Sequence, residues 1–231
     1  MITRSSAPFP AAAHAASCYN VYRIPFFLRV HFIVLGGMPM EKLSIDEWVK
    51  QLCAIPEAEF SIRRVFDFTA QKSIQPETLS PYLFYATSHY TRNLIYKCKL
   101  FEVMAICWNI GQVSRIHNHR DQNCWMVTPI GRLRVQNFRV DTRDASHSTC
   151  KLVPSDAYDM DPEHPAVVQP EEPVHQVLNL PEFGQPSTSV HIYSYPYSSC
   201  EVYSIDKGVY ADVPLHYSSE YGKLSPDEKL M

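Results

Sequence analysis

His117 and His119 stand two residues apart between Gly111 and Gly131, in the spacing G-x5-H-x-H-x11-G, and His175 follows downstream in a His-x3-Asn run ending at Asn179. Three imidazoles gathered at one point could hold a metal ion. Neutral imidazole suits Fe, Zn, Cu and Ni alike, so the ligand type alone does not choose among them. On a strand, side chains alternate faces, so an extended His117–His119 segment aims both rings the same way. His14, His31, His89, His147, His164 and His216 lack comparable context and read as structural or solvent-facing.

Two further groups carry chemical potential. In Tyr90-Thr91-Arg92-Asn93-Leu94, an extended backbone puts Tyr90 and Arg92 on one side. An Arg facing an apolar interior needs an anionic partner, because an unpaired buried charge is costly. A substrate carboxylate gripped by the planar guanidinium fits this need, and so does a protein carboxylate at a barrel rim. In Ser189-Val190-His191-Ile192-Tyr193, three hydrogen-bonding side chains recur at every second position. They form either a relay, Ser189 to His191 to Tyr193, or the solvated face of an edge strand. A serine hydrolase is disfavoured, since no G-x-S-x-G turn is present, and seven Gly leave little material for a phosphate loop.

The surrounding pattern indicates how these groups are positioned. Ser44 is placed to cap a helix carrying Ile45, Trp48, Val49 and Leu52, ending near Pro56. Glu59–Ala70 predicts a second helix and Pro76–Ala86 a third. From Tyr90 onward short β-branched and aromatic runs take over: Leu94–Tyr96, Phe101–Asn109, Ser114–His119, Cys124–Pro129, Arg132–Val140, His175–Leu178 and Ser189–Tyr193. A tight turn through Arg120-Asp121-Gln122-Asn123 joins the His-x-His strand to the next. Ser155–Pro173, rich in Pro and Asp, reads as loop or irregular edge. Helices followed by about ten short strands predict a mainly β barrel or sandwich with a helical layer.

A net charge of −3 with no Lys/Arg block gives no reason to expect nucleic acid or a membrane surface. Seven Cys, none in a C-x-x-C pair, read as reduced thiols of a cytoplasmic protein. Residues 1–40 differ in character from the rest. The apolar run Ile24–Gly37 is broken by Arg29 and His31 and is too short to span a bilayer, so this segment is expected to be a poorly ordered leader ahead of one domain over 41–231.

The Gly-bounded histidine spacing resembles the cupin motifs, with Cys124 in the slot where a carboxylate usually follows the second His. Over residues 41 to 225 the chain resembles cysteine dioxygenase of the cupin superfamily. The motifs that carry the likeness are Tyr90–Leu94, Cys107-Trp108 with Gly111 and His117-Asn118-His119, Cys124, His175-x3-Asn179, Ser189–Tyr193, and Cys200 seven residues after Tyr193. The resemblance implies a mainly β, jelly-roll-like cupin barrel with an N-terminal helical layer, working as a monomer. It implies Fe(II) held by His117, His119 and His175, and a substrate carboxylate held by Arg92 with Tyr90 nearby. Tyr193 would point at substrate and oxygen, oriented by His191 and Ser189, with Cys124 its partner in a thioether cross-link. The reaction implied is oxidation of L-cysteine by O2 to cysteine sulfinic acid. The alternatives are another small thiol such as 3-mercaptopropionate, a non-catalytic metal-binding cupin sensor, or a three-His zinc hydrolase. Three departures touch the surroundings of the site. Tyr195 stands where relatives carry Pro, predicting loss of a special peptide geometry beside Tyr193, and Pro173 and Leu178 flank His175 in place of the usual residues.

Overall fold

Ser44 caps the first helix, α1 (Ile45–Cys53), its Oγ accepting the Glu47 N–H at 3.2 Å. Ser61 does the same for α2 (Ile62–Gln71), accepting from Arg64 N–H at 3.3 Å. A computed structural model of the chain describes residues 40–168, 173–226 and 228; the expected leader lies outside them apart from Met40. The second helix starts later than predicted because Glu57–Glu59 forms a separate 3-10 turn. The third predicted helix is a 3-10 segment, Pro76–Tyr82, with Pro81 inside it. Proline lacks the N–H that an α-helix would use there. Among the described residues no helix is long and apolar enough to cross a membrane.

The short strands β1 (Glu41–Leu43) and β2 (Lys72–Ile74) pair in parallel beside these helices. The remaining strands are β3 (Thr91–Lys97), β4 (Glu102–Trp108), β5 (Ile116–His117), β6 (Asn123–Ile130), β7 (Leu133–Asp144), β8 (Thr149–Met160), β9 (Ala166–Val168), β10 (Val174–Leu178), β11 (Ser187–Ser194), β12 (Ser199–Ser204), β13 (Val209–Pro214), β14 (Ser219–Glu220) and β15 (Lys223–Leu224). Six of them close a barrel in the order β10-β5-β12-β13-β8-β7, and seven form a sheet ordered β15-β14-β3-β4-β11-β6-β9. The expected mainly β, jelly-roll-like architecture with a helical layer is what the chain adopts.

Ser155–Pro173 corrects the sequence reading. Its first residues complete β8, and Ala166–Val168 pairs with β6. Pro154 sits opposite Phe138, beside a register shift in the β7–β8 ladder. Such an irregularity is where a strand tolerates proline. Most β8 side chains past Leu152 are exposed or half-buried, which hides the apolar alternation.

Every residue of β4 and β11 is buried, because both faces of the sheet are covered. Val103, Ala105, Val190 and Ile192 pack with Trp48, Leu52 and Val65 of the helical layer. Met104, Ile106, Trp108, Met126 and Tyr193 pack inward with Leu133, Val135 and Val177 of the barrel. That layering settles the Ser189–Tyr193 row. It is the inner face of a central strand. Gly131 has a simple reason for being glycine: its φ is +78°, and a Cβ there would lie 2.3 Å from Ser187 Oγ.

Candidate metal centre

β5 and β10 run antiparallel with His117 directly opposite His175, and His119 lies two residues beyond His117 on the same inward side. The ring centroids are 5.1 Å apart for His117–His119, 4.7 Å for His117–His175 and 4.9 Å for His119–His175. One nitrogen from each falls within 4.8 Å of the others. The structure therefore brings the three predicted residues together. Immediately after His119 the chain reverses through Arg120 and Asp121, both with positive φ, as the predicted turn requires.

The donor set fits a transition metal. His117 Nδ1 lies 2.8 Å from the Arg115 carbonyl, which can only accept, so the proton sits on Nδ1 and Nε2 keeps its lone pair. Both ring nitrogens of His119 and of His175 are buried without a hydrogen-bond partner. Orphaned polar atoms are costly in an interior, and a metal ion would employ one on each ring. Burial pushes the His117 imidazole down to about 4 and holds His119 and His175 well below their usual range, with the neighbouring His117 adding to the effect on both. All three rings are neutral at physiological pH, the form that ligates.

This sets a pH dependence. In metal-free protein these rings have folded pKa values below the unfolded value near 6.5, so the unfolded chain binds more protons between the two. The stability they contribute is full above pH 6.5 and is lost as pH falls toward 4, at up to about 1.4 kcal/mol per pH unit for each ring. Thermal melts in chelator should show Tm falling from pH 6.5 downward. A Tm that stays flat between pH 6.5 and 5, above the range of ordinary carboxylates, would contradict neutral burial of the three rings.

The predicted relay is present and one member longer than the sequence indicated. Ser189 Oγ is 2.8 Å from His191 Nε2, and His191 Nδ1 is 2.9 Å from Tyr193 Oη. Trp108 Nε1 donates to Ser189 Oγ at 3.0 Å. Burial lowers His191 to about 3, so its ring is neutral and carries one proton. With the indole N–H occupying an acceptor site on Ser189, the serine proton goes to Nε2. The imidazole proton then sits on Nδ1 and goes to Tyr193. This assignment gives each of these donors an acceptor and leaves the Tyr193 O–H free to donate elsewhere; the Tyr193 and His119 ring centroids are 5.6 Å apart.

A cavity of about 490 Å³ opens onto this centre, lined by Tyr90, Arg92, Trp108, His117, Tyr193 and Cys200 among others. Tyr90 stacks on Trp108 with centroids 4.5 Å apart. Arg92 is half-buried, donates to the His216 carbonyl at 3.4 Å and lies 6.0 Å from the Tyr217 ring. Among the described residues no carboxylate pairs with it. Cys124 is fully buried and sits directly opposite Tyr193 across the β6–β11 ladder. Its Sγ lies 3.9 Å from the same His191 nitrogen that contacts the phenol.

A family model for cysteine dioxygenase type I matches residues 43–206. The chain belongs to that family. Cysteine dioxygenase type 1 of Danio rerio is 24% identical over 191 residues, covering 82% of this chain and 93% of that protein. The Rattus norvegicus cysteine dioxygenase type 1 is 27% identical over 138 residues, 59% of this chain and 66% of the other. Among solved structures, a double-stranded β-helix protein from Klebsiella pneumoniae is similar over 54% of this chain and 87% of its own, at 13% identity and a TM-score of 0.42. The Ser194–Tyr195 peptide beside Tyr193 is cis. Asn179, the end of the His-x3-Asn run, holds the fold: its Nδ2 donates to the Trp108 and Gln185 carbonyls at 3.2 and 3.0 Å.

Sequence reasoning missed Tyr197, half-buried beside the centre with its ring 5.4 Å from Tyr193 and 6.3 Å from His119. It lies in a turn between β11 and β12, where no strand alternation marks its direction.

Proposed function

We propose that this chain is an Fe(II) enzyme that oxidises L-cysteine with O2 to cysteine sulfinic acid, with His117, His119 and His175 as the metal ligands. The observation that carries the reading is three neutral, convergent imidazoles beside a cavity lined by one of them, His117, together with Tyr193 and Arg92, an arginine that no carboxylate pairs with among the described residues. Six described cysteines are all free thiols, which fits a reducing cytoplasm. The monomer expected from the sequence is retained as part of this reading. Oxygen uptake with L-cysteine that requires Fe(II), and that Zn(II) cannot support, tests the proposal.

When bound, ferrous iron supplies Lewis acidity toward a thiolate and electron-transfer chemistry toward dioxygen. No ligand carboxylate offsets the metal's charge here, which favours an anionic substrate sulfur. The rest falls to the protein. Arg92 holds the substrate carboxylate, so the thiol is presented in one orientation. Trp108, Ile106 and Val177 line the cavity with apolar surface and limit water beside the reacting sulfur. Tyr193 donates its hydroxyl proton toward the reacting atoms as negative charge builds on oxygen, and the relay through His191 and Ser189 keeps that proton aimed inward. Both oxygen atoms end on sulfur, so thiol and O2 give the sulfinic acid with no other reductant.

The pairing of Cys124 with Tyr193 supports a thioether between Sγ and the ring carbon beside the hydroxyl, formed with loss of two hydrogens during oxidative turnover. Such a link would hold the Tyr193 ring in one rotamer and reduce the ordering needed at each cycle. Cys124→Ser should lower activity several-fold without abolishing it. Mass spectrometry after turnover should find the Cys124 and Tyr193 peptides joined, lighter than their sum by two hydrogens. Complete alkylation of Cys124 after repeated turnover would reject the link and leave the dioxygenase reading standing.

A further inference from the structure

Between the two ligands His117 and His119 lies Asn118, whose side chain makes three hydrogen bonds. Alternation turns it away from the two imidazoles, toward β12. There its Nδ2 donates to Glu201 Oε2 at 2.8 Å and to Tyr203 Oη at 3.2 Å. Its Oδ1 accepts the Glu201 N–H at 3.1 Å, and its own N–H donates to the Glu201 carbonyl at 3.1 Å. The β5–β12 ladder pairs Val202 with His117 and goes no further. Past that point one backbone bond remains, Asn118 N–H to the Glu201 carbonyl, and the Asn118 side chain supplies the reciprocal acceptor.

Glu201 is itself buried and braced. Arg143 grips it bidentately, at 2.6 Å to Oε1 and 2.9 Å to Oε2, and Tyr203 Oη donates to Oε2 at 2.8 Å. The Arg143 guanidinium lies 4.0 Å from the Tyr210 ring on β13. Across the β12–β13 ladder, Glu201 sits opposite Asp212, two carboxylates in a position where like charges repel. Arg143 neutralises the first, and Arg120, one residue past His119, pairs with the second. The short segment carrying both ligands is thus tied to the barrel wall at Asn118 and again at Arg120, where the chain reverses.

We propose that Asn118, held by Glu201 and braced by Arg143 and Tyr203, is a positioning residue that fixes the two ligands of the His-x-His segment for metal binding. The inference rests on the reading of the three histidines as a metal site. Groups that orient ligands without touching the metal typically account for about 10- to 100-fold in metal affinity. That is the loss expected for Asn118→Ala, with faster metal release.

The test measures Fe(II) affinity anaerobically by competition with a chromophoric chelator, and the Co(II) visible spectrum as a report on ligand geometry. Val65→Ala, a truncation in the helical layer, serves as a variant of lowered stability remote from the centre. The expected result is weakened Fe(II) binding and an altered Co(II) spectrum for Asn118→Ala, with both unchanged in Val65→Ala. Should Asn118→Ala not fold, the decision rests on a polarity swap. Asn118→Asp sets a carboxylate against Glu201 and should weaken binding; adding Glu201→Gln restores one donor facing one acceptor and should recover most of the affinity. Wild-type affinity in Asn118→Ala, equal losses in Val65→Ala, or no recovery in the double variant would overturn the proposal. Wild-type protein that binds neither metal would instead overturn the three-His reading itself.

Discussion

His175→Ala is expected to strip the protein of iron and remove activity to background. His175 is wholly buried and faces His117 across the β5–β10 ladder. Its removal leaves two imidazoles, a set without the convergence that a divalent ion needs. The loss should exceed the roughly 10- to 100-fold seen when groups behind the ligands are removed. The metal-free fold should survive, because the substitution also removes two buried nitrogens that lack hydrogen bonds. Metal analysis after gel filtration, with melting of the metal-free proteins as control, checks both halves. Stoichiometric iron and turnover in His175→Ala would reject the ligand assignment.

The second large effect is expected at Arg92. Losing a charge-assisted, partly buried pair costs about 2–5 kcal/mol, which is tens- to thousands-fold in equilibrium terms. Arg92→Gln should lower kcat/KM for L-cysteine by that range, while carboxylate-free thiols such as cysteamine lose far less. Arg92→Lys should fall between, since an ammonium keeps the charge and lacks the fork. The residue's surroundings make the comparison clean. Arg92 contacts a backbone carbonyl and an aromatic ring, so among the described residues its removal strands no carboxylate paired with it. Equal losses for cysteine and cysteamine would count against a carboxylate grip.

Much of the centre was legible because strand alternation is a strict geometric rule. The i, i+2 spacing of His117 and His119, and of Ser189, His191 and Tyr193, specifies a shared face wherever the backbone is extended. What alternation cannot say is whether that face is inner or outer, and for β11 burial on both sides decided it. Capping was equally local at Ser44, whose hydroxyl satisfies an otherwise unpaired N–H group, whereas Ser61, inside the stretch read as helix, is a cap the sequence reading missed. Long-range partners were not legible. Nothing near Ser189 in the chain points to Trp108, and nothing near Asn118 points to Glu201, because both pairings arise from register between distant strands. Strand β8 was hidden for another reason. Its polar outward residues and Pro154 resemble a loop, and only pairing to β7 makes it a strand.

The most direct measurement of the central claim is turnover under oxygen-18 gas. The purified chain is stripped of metal, reloaded anaerobically with Fe(II), and mixed with L-cysteine, and the products are weighed by mass spectrometry. The structure leads to one dioxygen consumed per sulfinate, both sulfinate oxygens labelled, and no reaction with the metal-free protein or after His117→Ala. Cystine as the main product, a single labelled oxygen, or turnover that persists without iron would contradict it.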